Sequence, residues 1–114
     1  MISLIIFQLI INKIIEFRDA RDWKQFHNPK DVAISLSLEA GEVLEHFQWK
    51  NKEEVATYVI THKNEIGEEL ADVLFVVLCL ANQTGINLQE SFENKLDIKT
   101  KRDHDRHQNN KKLQ

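Results

Sequence analysis

An all-α protein, a single domain built as a four- to five-helix bundle, is the fold class that three observations predict. The chain holds three Gly and one Pro in 114 residues, too few for the many tight turns of a small β-sandwich or barrel. Helix-capping signals recur along it, at Asn28-Pro29, at Asn51 and at Gly85. No segment shows the apolar-polar alternation of a half-buried strand. The run from Val73 to Ala81 is apolar without a break. It continues Glu65–Asp72 on one side and Asn82–Gly85 on the other, so it reads as buried helix rather than strand.

The elements follow in order. A first helix is predicted from about Leu4 to Asp19. An aromatic segment, Arg21-Asp22-Trp23-Lys24-Gln25-Phe26-His27, has no clean period. Asn28 then caps a second helix, Pro29 suits its first position, and the helix runs to about Phe47. Asn51 opens the next helix, with Glu53 and Glu54 at the positive end of its dipole. That helix extends to Thr84, with a bend or break expected near Ile60–His62, and Gly85 ends it. A last helix is predicted from Leu88 to about Lys101. The domain is expected to span residues 1–102, with 103–114 as a polar, frayed tail.

Composition bounds the function. At 42% apolar and 29% charged residues the chain resembles an ordinary soluble globular domain. Residues 95–114 carry seven basic and three acidic side chains, a charge of +4, whereas residues 1–94 carry −7. An acidic body argues against a nucleic-acid partner. Residues 2–11 are apolar at eight of ten positions, but Asn12, Lys13 and Glu16 end the run short of the ~20 residues of a membrane span. With no basic leader and no small-residue cleavage site, the segment reads as a helix buried on several sides, in a subunit interface, and not as a membrane or export element. One Cys, Cys79, excludes an internal disulfide and a Cys-rich zinc site, and fits a reducing cytoplasmic location.

The acids carry the chemical signal. On a helical projection of residues 32–47, Val32, Ala33, Leu36, Ala40, Val43, Leu44 and Phe47 form one apolar face, and Ile34 and Leu38 a second patch. Between them lies a narrow polar stripe of Ser35, Glu39, Glu42 and His46. On residues 65–84, Glu65, Glu69 and Asp72 share a stripe that runs on into Val76, Cys79 and Gln83. Nine apolar residues follow Asp72, so Asp72 and Glu69 are expected to enter the interior. Burying unpaired carboxylates costs several kcal/mol. Residues 31–49 and 64–94 contain no Lys or Arg to pair with them. A hard divalent ion with oxygen ligands fits that gap, Mg²⁺ before Mn²⁺. Glu45, Glu53, Glu54, Glu90 and Glu93 read as surface acids, and Glu65 and Glu68 as borderline. No Glu-x-x-His pair supports a di-iron site, no Gly-rich phosphate loop occurs, and Cys79 reads as core.

The pattern Glu39-Ala-Gly-Glu42, then 26 residues, then Glu69-Leu-Ala-Asp72 resembles the E-x-x-E…E-x-x-D signature of the MazG-like all-α nucleoside triphosphate pyrophosphohydrolases. The blocks Arg21–Pro29, His46-Phe-Gln-Trp49 and Glu68–Leu74 are similar to the branch that includes the dCTP pyrophosphatases, and the similarity covers residues 12–102. The resemblance implies a helical bundle assembled as a homodimer or homotetramer. It also implies Mg²⁺-dependent hydrolysis of a (d)NTP to the monophosphate and pyrophosphate, a house-cleaning reaction on pyrimidine or modified dNTPs. By position, Glu39, Glu42, Glu69 and Asp72 would hold metal, and Glu39 or Glu42 would take a proton from the attacking water. Trp23, Phe26, His27 and Trp49 would shape the nucleoside pocket, and Lys95 would lie near the phosphates. The chain departs from the pattern at Lys99, which replaces an Asn, at Arg102-Asp103-His104, which lacks a Tyr-Pro, and at Val76, where the branch tends to carry an aromatic. A rival expectation is a catalytically inactive helical module that assembles through its apolar first helix.

Overall fold

Five helices form in a computed structural model that describes residues 2–21 and 28–113, with side chains described for 8–21 and 28–106. They are α1 (Ile2–Ala20), α2 (Pro29–Glu45), α3 (Lys52–Thr61), α4 (Lys63–Thr84) and α5 (Leu88–Leu113). No strand occurs among the described residues.

The boundaries have local causes. The Asn28 side chain accepts from the Asp31 backbone N–H at 2.9 Å, with Pro29 in the first turn of α2. The turn His46–Trp49 ends α2 two residues before the expected Phe47. Asn51 and Glu54 form a reciprocal capping box at the start of α3. The expected break near Ile60–His62 falls at His62 itself, whose backbone (φ −124°, ψ 31°) leaves the helical region between α3 and α4. At Gly85 the chain turns left-handed (φ 68°), and Ile86 N–H reaches back to the Ala81 carbonyl at 2.9 Å, closing α4 in a Schellman turn. Any side chain at position 85 would sit in a strained conformation.

Helix α4 is the spine. Helix α2 packs along it, α1 crosses it, and α3 touches it near their junction. Leu78 (2% exposed), Cys79 and Ala81 on α4 and Val32 on α2 are buried, as is Arg18 from α1, which shares a cleft with Val32 and Cys79. The apolar run of α4 is buried on one face only: Leu70 and Leu74 are about half exposed, and so are Ile34 and Leu38 on α2. Two expectations change here. Asp72 is exposed within this chain, because the stripe it occupies opens into a cleft instead of the interior. Helix α5 continues past Lys101 to Leu113. No Gly or Pro interrupts that segment, and pairs such as Asp97–Lys101 carry opposite charges at the spacing that supports an isolated helix. Its side chains from Ser91 to Arg106 are all exposed.

The result is an open shape. The radius of gyration is 18.5 Å, against roughly 13 Å for a compact chain of this length. Leu78→Ala should lower stability by about 2–5 kcal/mol, since the cavity would open at the most deeply buried apolar side chain of α4. Denaturant unfolding of the two proteins measures the difference, and a change within experimental error would contradict this core.

Candidate active site

The site begins with helical spacing. Glu39 and Glu42 lie three residues apart on α2, as do Glu69 and Asp72 on α4, so each pair shares a face. The apolar face of α2 packs on α4 and brings the two pairs together. One carboxylate oxygen from each of the four lies within 4.8 Å of the others. Glu39 and Glu69 are half-buried, and Glu42 and Asp72 are exposed. The Oε2 atoms of Glu39 and Glu69 are buried without a hydrogen-bond partner. All four sequence-expected metal ligands therefore converge.

The cluster is electrostatically strained. Burial pushes the Glu39 carboxyl above its ordinary value, and the charge and hydrogen bonding of Glu42 and the charge of Asp72 push it further. For Glu69 the leading cause is a hydrogen bond with Glu42, which favours the protonated form, followed by burial and the charges of Glu42, Asp72 and Glu39. Every group acting on these two glutamates is another acid. Orphaned inner oxygens, an all-carboxylate donor set and no compensating base among the described residues together fit a hard divalent cation.

Glu39 and Asp72 also line a cleft of about 430 Å³ between α1, α2 and α4. Its walls are mostly apolar, from Val32, Val76 and an edge-to-face pair, Phe17 and Phe75, with ring centroids 5.8 Å apart, and Ser35 and Gln83 add polar side chains. Away from the acids lie Cys79 and Arg18. Arg18 is 3% exposed, and its Nη2 donates to Asn82 Oδ1 at 2.7 Å, while Nε and Nη1 are buried with no oxygen or nitrogen acceptor. Burial raises the Cys79 thiol pKa, and the charge of Arg18 beside it and a side-chain hydrogen bond from it act in the opposite sense. The sequence reading missed Arg18 because it sought cations only on the two acid-bearing helices. The signal was present: Ile11, Ile14 and Ile15 form an inward stripe on α1, and Arg18 is the next position on it.

The remaining expected site residues stand elsewhere. Trp49, in the turn after α2, is 86% exposed, and Lys95 on α5 is exposed, and neither lines the cleft. Trp23, Phe26 and His27 lie outside the described residues. His46 stays off the acid cluster: its Nδ1 pairs with the Tyr58 hydroxyl at 2.5 Å, joining α2 to α3. Glu65 and Glu68 are exposed and take no part in the cluster.

The model of the MazG-like family matches residues 34–114. The chain belongs to the MazG-like family. This MazG-like chain is 36% identical over 89 residues to dCTP pyrophosphatase 1 of mouse and of human, and 35% identical to that of cattle. Those matches cover 76% of the chain and 52–53% of the relatives, so the chain spans about half their length. A solved pyrophosphatase from Archaeoglobus fulgidus superposes with a TM-score of 0.79 at 35% identity, over 84% of this chain and 90% of that one. The MazG-like chain thus shares an all-α fold with a solved pyrophosphatase, and its four acids occupy one face of that fold.

The raised carboxyls set the sign of a pH effect. Between the ordinary value of 4.5 and their raised values, Glu39 and Glu69 hold more protons folded than unfolded. Their favourable contribution is complete below 4.5 and is lost as pH rises through the folded values, so metal-free protein should melt at falling temperature over that window. Glu69→Gln removes one repelling charge and should melt higher than wild type in EDTA, with a weaker pH slope. Wild type should gain more from millimolar Mg²⁺, and the gain should grow with pH because ligands must shed protons to bind. Thermal melts of both proteins in EDTA and in Mg²⁺ check this, and equal Mg²⁺ responses would remove Glu69 from the metal site.

Proposed function

We propose that this chain is a Mg²⁺-dependent nucleotide pyrophosphohydrolase that cleaves a deoxynucleoside triphosphate, dCTP or a related pyrimidine or modified dNTP, to the monophosphate and pyrophosphate. The observation that carries the reading is the convergence of Glu39, Glu42, Glu69 and Asp72 at one end of an apolar-walled cleft. Relatives named dCTP pyrophosphatase 1 and a structural neighbour named a pyrophosphatase support it.

The chemistry follows from the parts. A bound divalent ion supplies charge neutralisation at the phosphates and acidifies the attacking water. Glu39, Glu42, Glu69 and Asp72 hold that ion, with Mn²⁺ as a substitute for Mg²⁺. Glu39 or Glu42 accepts the proton as water attacks the α-phosphorus. The phosphates face the acids, and the nucleoside enters the cleft between Phe17, Phe75 and Val76, whose apolar surfaces accept a base by contact area.

The working unit is a homodimer or homotetramer. The 18.5 Å radius of gyration, the exposed length of α5 and half-exposed Leu70, Leu74, Leu38 and Ile34 leave more apolar surface than a free monomer normally carries. In this reading Trp23, Phe26, His27 and Trp49 serve the nucleoside and Lys95 the phosphates, as the family resemblance implies. The partner set contains neither nucleic acid nor membrane, and the location is cytoplasmic. The acidic body and the single buried Cys79 support this. Among the described residues no single helix is long and apolar enough to cross a membrane.

Incubation with each common dNTP and Mg²⁺ should release pyrophosphate and the monophosphate, and EDTA should abolish the reaction. Glu42→Gln or Asp72→Asn should reduce the rate by several powers of ten. Orthophosphate as the released product would refute the reaction. Light scattering at micromolar concentration should give a multiple of 13.4 kDa, and a stable monomer would refute the assembly.

A further inference from the structure

Arg18 is the feature that the catalytic reading leaves unused. A guanidinium carries N–H donors and no acceptor, and burying one without acceptors is unfavourable. Here one of its nitrogens, Nη2, is held by Asn82 Oδ1 at 2.7 Å, while Nε and Nη1 are buried with no oxygen or nitrogen acceptor and only the weakly accepting Cys79 sulfur beside the head, in a side chain that lines the cleft. The Asn82 bond anchors the head against α4, so the free donors are held in place before any ligand arrives.

Position along α4 separates Arg18 from the acids. Arg18 lies beside Cys79 and Asn82, seven and ten residues beyond Asp72, or about 10–15 Å at the helical rise. The intervening wall is Val76 and the Phe17–Phe75 pair, which offers faces to a ring and nothing to a phosphate. A nucleotide with its phosphates at the acids therefore carries its base toward Arg18.

We propose that Arg18, anchored by Asn82, is a specificity-determining residue that reads the acceptor edge of a cytosine base bound in the cleft. The assignment rests on the nucleotide reading of the site given above. Cytosine presents two neighbouring acceptors, N3 and O2, which a donor-only group satisfies together. Thymine and uracil place an N–H donor at N3, which would face the guanidinium N–H groups. A base acceptor pair met by Arg donors discriminates between bases by about tenfold or more. The same logic accounts for a buried cation with no acid paired to it among the described residues: a carboxylate there would occupy the donors that the base needs.

The test measures binding directly, by calorimetry with dCMP and dTMP in millimolar Mg²⁺, where neither monophosphate has an anhydride bond to cleave, on wild type, Arg18→Met and Arg18→Lys. Wild type should bind dCMP about tenfold or more tightly than dTMP. Arg18→Met keeps the stem length and removes the donors. It should lose about tenfold or more in dCMP affinity with little change for dTMP, while melting at or above the wild-type temperature because an unpaired buried charge has gone. Arg18→Lys keeps the charge and should fall between them, and it carries the comparison if Arg18→Met does not fold. With Mg²⁺, the KM for dCTP should rise in both variants with a much smaller change in kcat. Equal affinity of wild type for the two monophosphates, an equal loss for both in the variants, or unchanged dCMP binding would each overturn the assignment. An equal loss would mean that Arg18 holds phosphate or sugar. If wild type releases no pyrophosphate from any dNTP yet binds dCMP through Arg18, the proposed reaction falls and the base-reading role stands.

Discussion

Four carboxylates held within 4.8 Å of one another are the constraint on which the rest of the structure depends. Like charges at that separation repel, and partial burial of Glu39 and Glu69 removes the water that would screen them. The fold must supply the force that keeps them together. It does so by packing α2 on α4, the two helices that carry both the acids and the buried Val32, Leu78, Cys79 and Ala81. The strain is located where a divalent cation would relieve it, and it shows in the unpartnered Oε2 atoms of both inner glutamates.

The same economy of charge organises the cleft. Its acid end and its cationic end are both isolated within apolar walls, so neither neutralises the other. Separated this way, the acids remain available to a metal and Arg18 to a neutral acceptor. Had Arg18 reached Glu39, a buried ion pair would have satisfied both and left a closed core. Instead Arg18 is turned aside by a single bond to Asn82. Two kinds of recognition, of charge at one end and of hydrogen-bond pattern at the other, become possible in one short groove.

Stability is thin around this arrangement. Few side chains are fully enclosed, and α5 extends with its surface in solvent. Apolar residues left about half exposed or more occur on every helix, including Leu9, Leu38, Ile60, Leu70, Leu74 and Phe92. A chain that spends its interior on a charged cleft has less apolar surface buried within itself, and assembly with further copies is the physical way to recover it.

The sequence by itself determined the helices, their caps and the identity of the acids. Asn28, Asn51 and Gly85 act through the backbone of the next few residues, so their effect is local and legible. The i, i+3 spacing of Glu39 with Glu42 and of Glu69 with Asp72 fixes a shared face for the same reason. Helix α5 outran its expected end because no local signal stops a helix between Leu88 and Leu113. Tertiary structure decided the rest. Whether Asp72 lies inside or at a cleft mouth depends on what α1 covers, and an apolar run on α4 cannot report that one of its faces stays open. The meeting of Arg18 with Asn82 joins residues 64 apart in sequence, and no periodicity on either helix contains it. Burial is a property of the space between elements, and that space exists only once the helices have packed.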